Sequence, residues 1–323
     1  MKETVFLKLF RLILCLIFLL SINSCGLSYR SNYEEYLSVL EEESVCDTQF
    51  SNPGGPQVTG SVSFEKRTLN VVTQEIPGDP VSTVVLKNIH LGNPLPDTLP
   101  VKYAEVAVYN SDNERVQCGV TNGSGQIKAL NGSSPLIIPQ DAGNYKIRII
   151  ARSNINYNGL SDFITISVKD DIYKNSVYAV STSFYSTGSS TTNINLIAKA
   201  RQVDSEEVLG AAFSILNTLQ LGLSYVGTTT ATQCLANKKL SVFWKAGFNP
   251  MQYDSPEADP QTLSNTSYYD YDTKALYISG GQLGDISLAN TDHYDDFVIL
   301  HEMGHFLEDF CGFRVSPGGS HNL

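Results

Sequence analysis

Asp292-His293-Tyr294-Asp295-Asp296-Phe297-Val298-Ile299-Leu300-His301-Glu302-Met303-Gly304-His305-Phe306-Leu307-Glu308-Asp309-Phe310-Cys311-Gly312 decides how this chain is read. Its spacing predicts a helix from about Tyr294. Asp292 is the expected N-cap, with Asp295 and Asp296 near the positive helix end. Gly312 is the expected C′ residue. Val298, Leu300, Met303, Leu307 and Phe310 are the expected core-facing positions. Residues four apart on a helix share a face, so His301 and His305 can turn toward one metal. Zinc takes nitrogen ligands near 2.0–2.1 Å and, in catalytic sites, keeps one position for water. It lowers the pKa of that water toward about 7, within reach of Glu302 as general base. The proton can then pass to a leaving amine.

Working outward, Leu240-Ser241-Val242-Phe243-Trp244 reads as a buried strand. Ala275-Leu276-Tyr277-Ile278-Ser279 reads as another, closed by Gly280-Gly281. Before them Asp204 opens a helical pattern, with Val208, Ala211, Ala212, Ile215, Leu216 and Leu219 at three- and four-residue spacing. Helix, strand, strand, helix predicts an α+β domain over 201–323. This part resembles the zincin metallopeptidases. The resemblance implies zinc, peptide-bond hydrolysis and Glu302 as base. It also implies an edge strand that pairs with extended substrate, here expected at Tyr277 to Gly280.

The third ligand is less defined. The long metzincin pattern needs Gly at 308 and a ligand at 311, where this sequence has Glu308 and Cys311. The loop Ser316-Pro317-Gly318-Gly319-Ser320-His321 can fold back, and His321 is the favoured third ligand, with Glu308 the alternative. Glu308 and Asp309 are also candidates to accept a hydrogen bond from an imidazole. His293 and Tyr294 read as capping and surface residues. Tyr268, Tyr269 and Tyr271 read as an acidic loop, with one a candidate donor to an oxyanion. Zincins carry a C-terminal part that walls the cleft, and only two residues follow His321. A truncated or minimal form is therefore the expectation.

From Gln57 the period of the pattern is two. Residues 58–64, 102–109, 145–151 and 162–168 alternate, separated by turn clusters such as Asn122-Gly123-Ser124-Gly125. This predicts an antiparallel β-sandwich over 57–200. Gly60-Ser61-Val62, Pro100-Val101 with Ala104-Glu105-Val106, and Thr121 to Ile127 resemble the carboxypeptidase-regulatory-like, transthyretin-like modules. That resemblance implies a structural or adhesive role.

The N-terminus carries Lys2, Lys8 and Arg11, then an apolar run from Leu12 to Leu20, then Ile22-Asn23-Ser24-Cys25. The run is too short to span a bilayer and suits a signal peptide. Residues 1–24 resemble a bacterial lipoprotein signal, which implies lipidation at Cys25, export and a membrane anchor. An ordinary secretory signal is the alternative. Residues 25–56 read as tether and linker. Lys+Arg total 22 against Asp+Glu 33, a net charge of -11. Removing 1–24 takes away three cations and Glu3, leaving -13. Such a chain repels nucleic acid and anionic membranes, so the lipid must supply anchoring. Cys46, Cys118, Cys234 and Cys311 remain after cleavage. They permit two disulfides in three connectivities, of which proximity favours Cys46–Cys118 and Cys234–Cys311, with buried free thiols the alternative.

The sequence thus reads as a surface-anchored zinc metallopeptidase acting on peptide or protein. The alternative is a lipoprotein that binds a partner through its sandwich and carries a vestigial or truncated protease domain. Metal-dependent hydrolysis of a non-peptide substrate is a third, weaker reading.

Overall fold

The computed structural model describes residues 44–52, 54–75, 84–153, 164–170, 172, 174–200, 208–226, 234–259, 262–283, 286 and 291–312. The signal 1–24, Cys25, the short helix expected near Tyr33 to Leu40, and His321 lie outside the described residues. The chain divides into one unit of 1–42 with 172–175 and another of 43–171 with 176–323. The architecture below is that of the second.

The chain is β-rich, with three helices among the described residues. The strands of its first part are β1 (Gln57–Thr59), β2 (Val62–Phe64), β3 (Arg67–Glu75), β4 (Val84–Pro94), β5 (Leu99–Pro100), β6 (Glu105–Tyr109), β7 (Arg115–Thr121), β8 (Ile127–Ala129), β9 (Leu136–Ile137) and β10 (Gly143–Ile150). They are followed by β11 (Arg152–Ser153), β12 (Thr165–Lys169), β13 (Ala179–Ser186), β14 (Thr192–Asn193) and β15 (Leu196–Ala198). Helix α1 (Leu209–Val226), β16 (Lys239–Trp244), α2 (Met251–Asp254), β17 (Tyr268–Asp270), β18 (Ala275–Ile278) and α3 (Asp296–Cys311) complete the order.

One antiparallel sheet has the order β13-β10-β6-β7-β8. Its alternating residues Val106, Val108, Ile147 and Ile149 share a core with Val58, Val62 and Phe64 of the short strands. The β7–β8 connection follows its turn chemistry. Asn122 Oδ1 accepts from the backbone N–H groups of Ser124 and Gln126 at 3.0 Å. Gly125 has φ 74°, and a Cβ there would lie 2.4 Å from the Val62 carbonyl oxygen. Only glycine suits that position. This β-rich part is not purely antiparallel. β14 lies parallel beside β1 and β15 parallel beside β2, so residues 192–198 return to the first strands.

The expected tether does not extend to residue 56. Arg115 Nη1 donates to the Ser44 carbonyl at 2.8 Å, and Gln117 Nε2 donates to Phe50 O at 3.0 Å. Cys46 is joined to Cys118 on β7. Together with Ala107, Tyr109 and Ile150 these cysteines form a second apolar cluster on the outer sheet face. The favoured pairings, Cys46–Cys118 and Cys234–Cys311, are both present. The first closes a loop of 72 residues. Replacing both of its cysteines by serine should cost about 4 kcal/mol of stability by loop entropy, read from a denaturant midpoint. An unchanged midpoint would deny the bridge that role.

The second five-stranded sheet has the order β11-β12-β16-β18-β17. Its three central strands are parallel and its two edges antiparallel. The sheet crosses the boundary expected near residue 200, because β12 pairs with β16. One apolar core accordingly runs from Val58 to Phe306. One face presents Val168, Val242 and Leu276 to this core, with residues of α1 and α3. The helices sit close: a Cβ on Gly222 of α1 would lie 2.7 Å from Met303 Sδ and 2.8 Å from Leu300 Cδ2 of α3. Among the described residues α1 is the one helix long and apolar enough to cross a membrane, and 56% of it is buried inside the fold, as in a core helix. The opposite face carries a row of paired residues, Lys169, Phe243, Tyr277 and Tyr268. Phe243 stacks on Tyr277, and Tyr277 on Tyr268.

Candidate active site

Helix α3 starts one turn later than its first aspartate suggests. Asp295, not Asp292, is the N-cap, and its Oδ1 accepts from Phe297 N at 2.9 Å and Val298 N at 3.3 Å. Asp292 is instead buried and accepts from Ser267 Oγ at 2.7 Å. Gly312 ends the helix at φ 69°, its N–H donating to Glu308 O at 3.0 Å. The buried stripe is Ile299, Glu302, Met303 and Phe306. Met303 is among the expected core positions; the rest of the stripe is shifted because residues 297–300 are all apolar and leave the face undetermined. Val298, Leu300, Leu307 and Phe310 are only partly buried. His293 and Tyr294 are core residues, not surface ones; the His293 ring packs on Trp244 and on Tyr294. Burial pushes His293 down to about 3, so it is neutral.

His301 and His305 face each other with ring centres 4.9 Å apart at 88°. Two imidazoles on one zinc, each nitrogen at about 2.0–2.1 Å in tetrahedral geometry, have ring centres about 5 Å apart. The pair fits such an ion. Nδ1 of His305 lies 3.3 Å from Glu308 Oε2 and 3.4 Å from Tyr271 Oη. Glu308 thus sits where it can orient that ring through Nδ1. Asp309 does not touch a histidine. Its Oδ2 accepts from Tyr269 Oη at 2.7 Å and from Lys274 Nζ at 2.6 Å. Burial raises its pKa, but these bonds outweigh burial and hold it below the ordinary value. Among the described residues no three His, Cys, Asp or Glu side chains converge on a metal position.

Glu302 is buried on the sheet side of the helix and accepts a hydrogen bond from the Tyr269 N–H. Burial pushes it up to about 7, against that bond and with help from the Asp292 charge. The edge beside it is β17, Tyr268–Asp270, read from sequence as a loop. The expected edge at Tyr277 to Gly280 is internal, since β18 lies between β16 and β17. Three residues are too few for alternation to announce a strand. Tyr271 is 44% exposed, and its phenol oxygen lies beside His305 Nδ1. Cys311, the last residue of α3, is bonded to Cys234 and ties the helix end to the segment leading into β16.

Asp292 offers a pH test. Burial raises it to about 7, opposed by the Ser267 hydrogen bonds. The folded value exceeds the unfolded one, about 3.9. Its stabilising contribution is therefore complete below about pH 4 and lost as pH rises through about 7. Asp292→Asn should melt higher than the parent at pH 8 and close to it at pH 4. A variant less stable at pH 8 would contradict the protonated buried carboxyl.

No protein-family model matches the chain, and no curated protein matches it. Among solved structures it is similar to a 9R-lipoxygenase from Cyanothece PCC8801, at 10% identity and a TM-score of 0.25, over 71% of this chain. The chain spans 32% of that lipoxygenase. Likeness at this level carries no argument about fold or chemistry.

Proposed function

We propose that this chain is an exported zinc metallopeptidase of zincin type, anchored by lipid at Cys25. The observation that carries the reading is the pair His301 and His305, at 4.9 Å between ring centres, with Glu302 between them in sequence. Glu308 on His305 Nδ1 supports it. The two disulfides suit an oxidising compartment outside the cytoplasm.

In this reading His301, His305 and His321 hold the ion. A bound zinc would supply a Lewis acid that polarises a carbonyl and acidifies water. Glu302 accepts the water proton and returns it to the leaving nitrogen as the peptide bond breaks. Its burial raises its basicity for that step. β17 is the edge strand beside Glu302 against which an extended substrate would lie. Tyr271, beside His305, is the candidate donor to the developing oxyanion.

Metal content is the direct test. Elemental mass spectrometry of the purified chain should find one zinc per molecule, lost in His301→Ala and in His321→Ala. Zinc kept in His321→Ala would move the third ligand elsewhere. No zinc in the parent would refute the peptidase and leave the alternative, a binding module.

A further inference from the structure

The first five-stranded sheet ends on β13. Its register with β10 is regular from Gly143↔Ser186 to Ile150↔Ala179. The Ala151 N–H donates to Tyr178 O at 2.7 Å, which fixes the alternation of the ladder. Val180, Thr182 and Phe184 turn their backbone groups to β10, and Ala179, Ser181, Ser183 and Tyr185 turn theirs outward. Among the described residues no backbone bond reaches those outward groups.

Edge strands are ordinarily protected by charge, proline or a bulge. β13 reads Ala-Val-Ser-Thr-Ser-Phe-Tyr-Ser and has none of these. Residues 175–198 contain no Asp, Glu, Lys or Arg, although 17% of the chain is charged, or about four in 24 residues. Tyr185 is 62% exposed.

The strand is its own complement. We propose that β13 pairs antiparallel with β13 of a second copy, about a two-fold axis at Thr182. The two sheets then become one. Residue i faces residue 364 − i, so Ala179 of one copy lies beside Tyr185 of the other. Ser181 faces Ser183 on the solvent side. On the core side Val180 faces Phe184 and Thr182 faces itself, pairs of the kind that stabilise sheets. This register uses all four outward residues, whereas a slip of two residues strands Ala179 or Tyr185. Lys146 and Arg148 of β10 lie beside Ser183 and Ser181. Three strand spacings would separate them from the other copy's β10, about 14 Å. That exceeds the screening length of about 8 Å at physiological salt, so like charges do not oppose the pairing. A second copy is favoured over a foreign strand because small faces large at both ends of the same seven residues, Ala179 to Tyr185.

Sedimentation velocity of the purified chain across the micromolar range should show a twofold mass increase with concentration. Ser181→Lys with Ser183→Lys sets four ammonium groups against each other and should return a monomer that keeps the parent's folded circular-dichroism spectrum, with a melt lowered by the new lysines beside Lys146 and Arg148. Thr182→Cys should give a covalent dimer on a non-reducing gel, since the axis brings Thr182 against itself. A chain that stays monomeric throughout would overturn the proposal, as would a dimer that survives the two lysines. A parent dimer with no crosslink in Thr182→Cys would overturn the axis at Thr182.

Discussion

Glu302→Gln should lower peptide hydrolysis by about 10²- to 10⁴-fold while leaving zinc content unchanged, because a general base contributes in that range. Glutamine keeps the shape and still accepts the Tyr269 N–H. It cannot take a proton from water. The fold and the histidine pair therefore stay, and only the proton transfer goes. The measurement is kcat/KM on a fluorogenic peptide beside metal content from the same preparation. Undiminished proteolysis in the variant would remove Glu302 from the mechanism. Lost zinc would mean that the substitution disturbs the helix, and a structural defect would explain the loss of rate.

Breaking the buried pair that joins β6 of the first five-stranded sheet to β11 of the second should have the largest effect on stability. Arg152 and Glu105 meet at 2.6 Å from Nε to Oε2 and 2.7 Å from Nη2 to Oε1, a two-pronged contact. Their side chains are 0% and 3% exposed. Glu105→Ala leaves a guanidinium in the core without its carboxylate, which costs about 3–5 kcal/mol. Exchanging both, Glu105→Leu with Arg152→Met, should cost far less, since desolvation of two charges is then avoided. Denaturant midpoints of the three chains check this. A single substitution as mild as the double one would mean that water reaches Arg152.

Local pattern made much of the molecule legible. Alternation marked β6, β10 and the β7–β8 turn, and three- and four-residue spacing marked α1 and α3. Gly312 ended the helix as its type predicts. The disulfide pairing followed from proximity along the chain. What stayed hidden was non-local. The parallel return of β14 and β15 depends on residues more than a hundred positions away, and Thr192-Asn193 has no period of its own. β12 looked like a sandwich strand because Ile166 and Val168 alternate, and only its partner β16 assigns it to the other sheet. Asp292, Asp295 and Asp296 are all competent caps by residue type, so composition could not choose among them. At the candidate site, spacing predicted that His301 and His305 share a helix face, and their ring centres lie 4.9 Å apart. Tyr269 and Tyr271 reach the helix only because β17 folds beside it.

The pairing of β1 with β14 has a consequence in time. Val58 is joined to Thr192, 134 positions later. At synthesis rates of about 5–20 residues per second, the opening strands wait some seconds for their neighbours to exist. β12 waits in turn for β16, so neither half can close before the other is under way. A chain threaded outward N-terminus first would therefore stay open until most of it had emerged. Maturation would then be a single late event, set by the arrival of the last strands, instead of a relay from one finished module to the next.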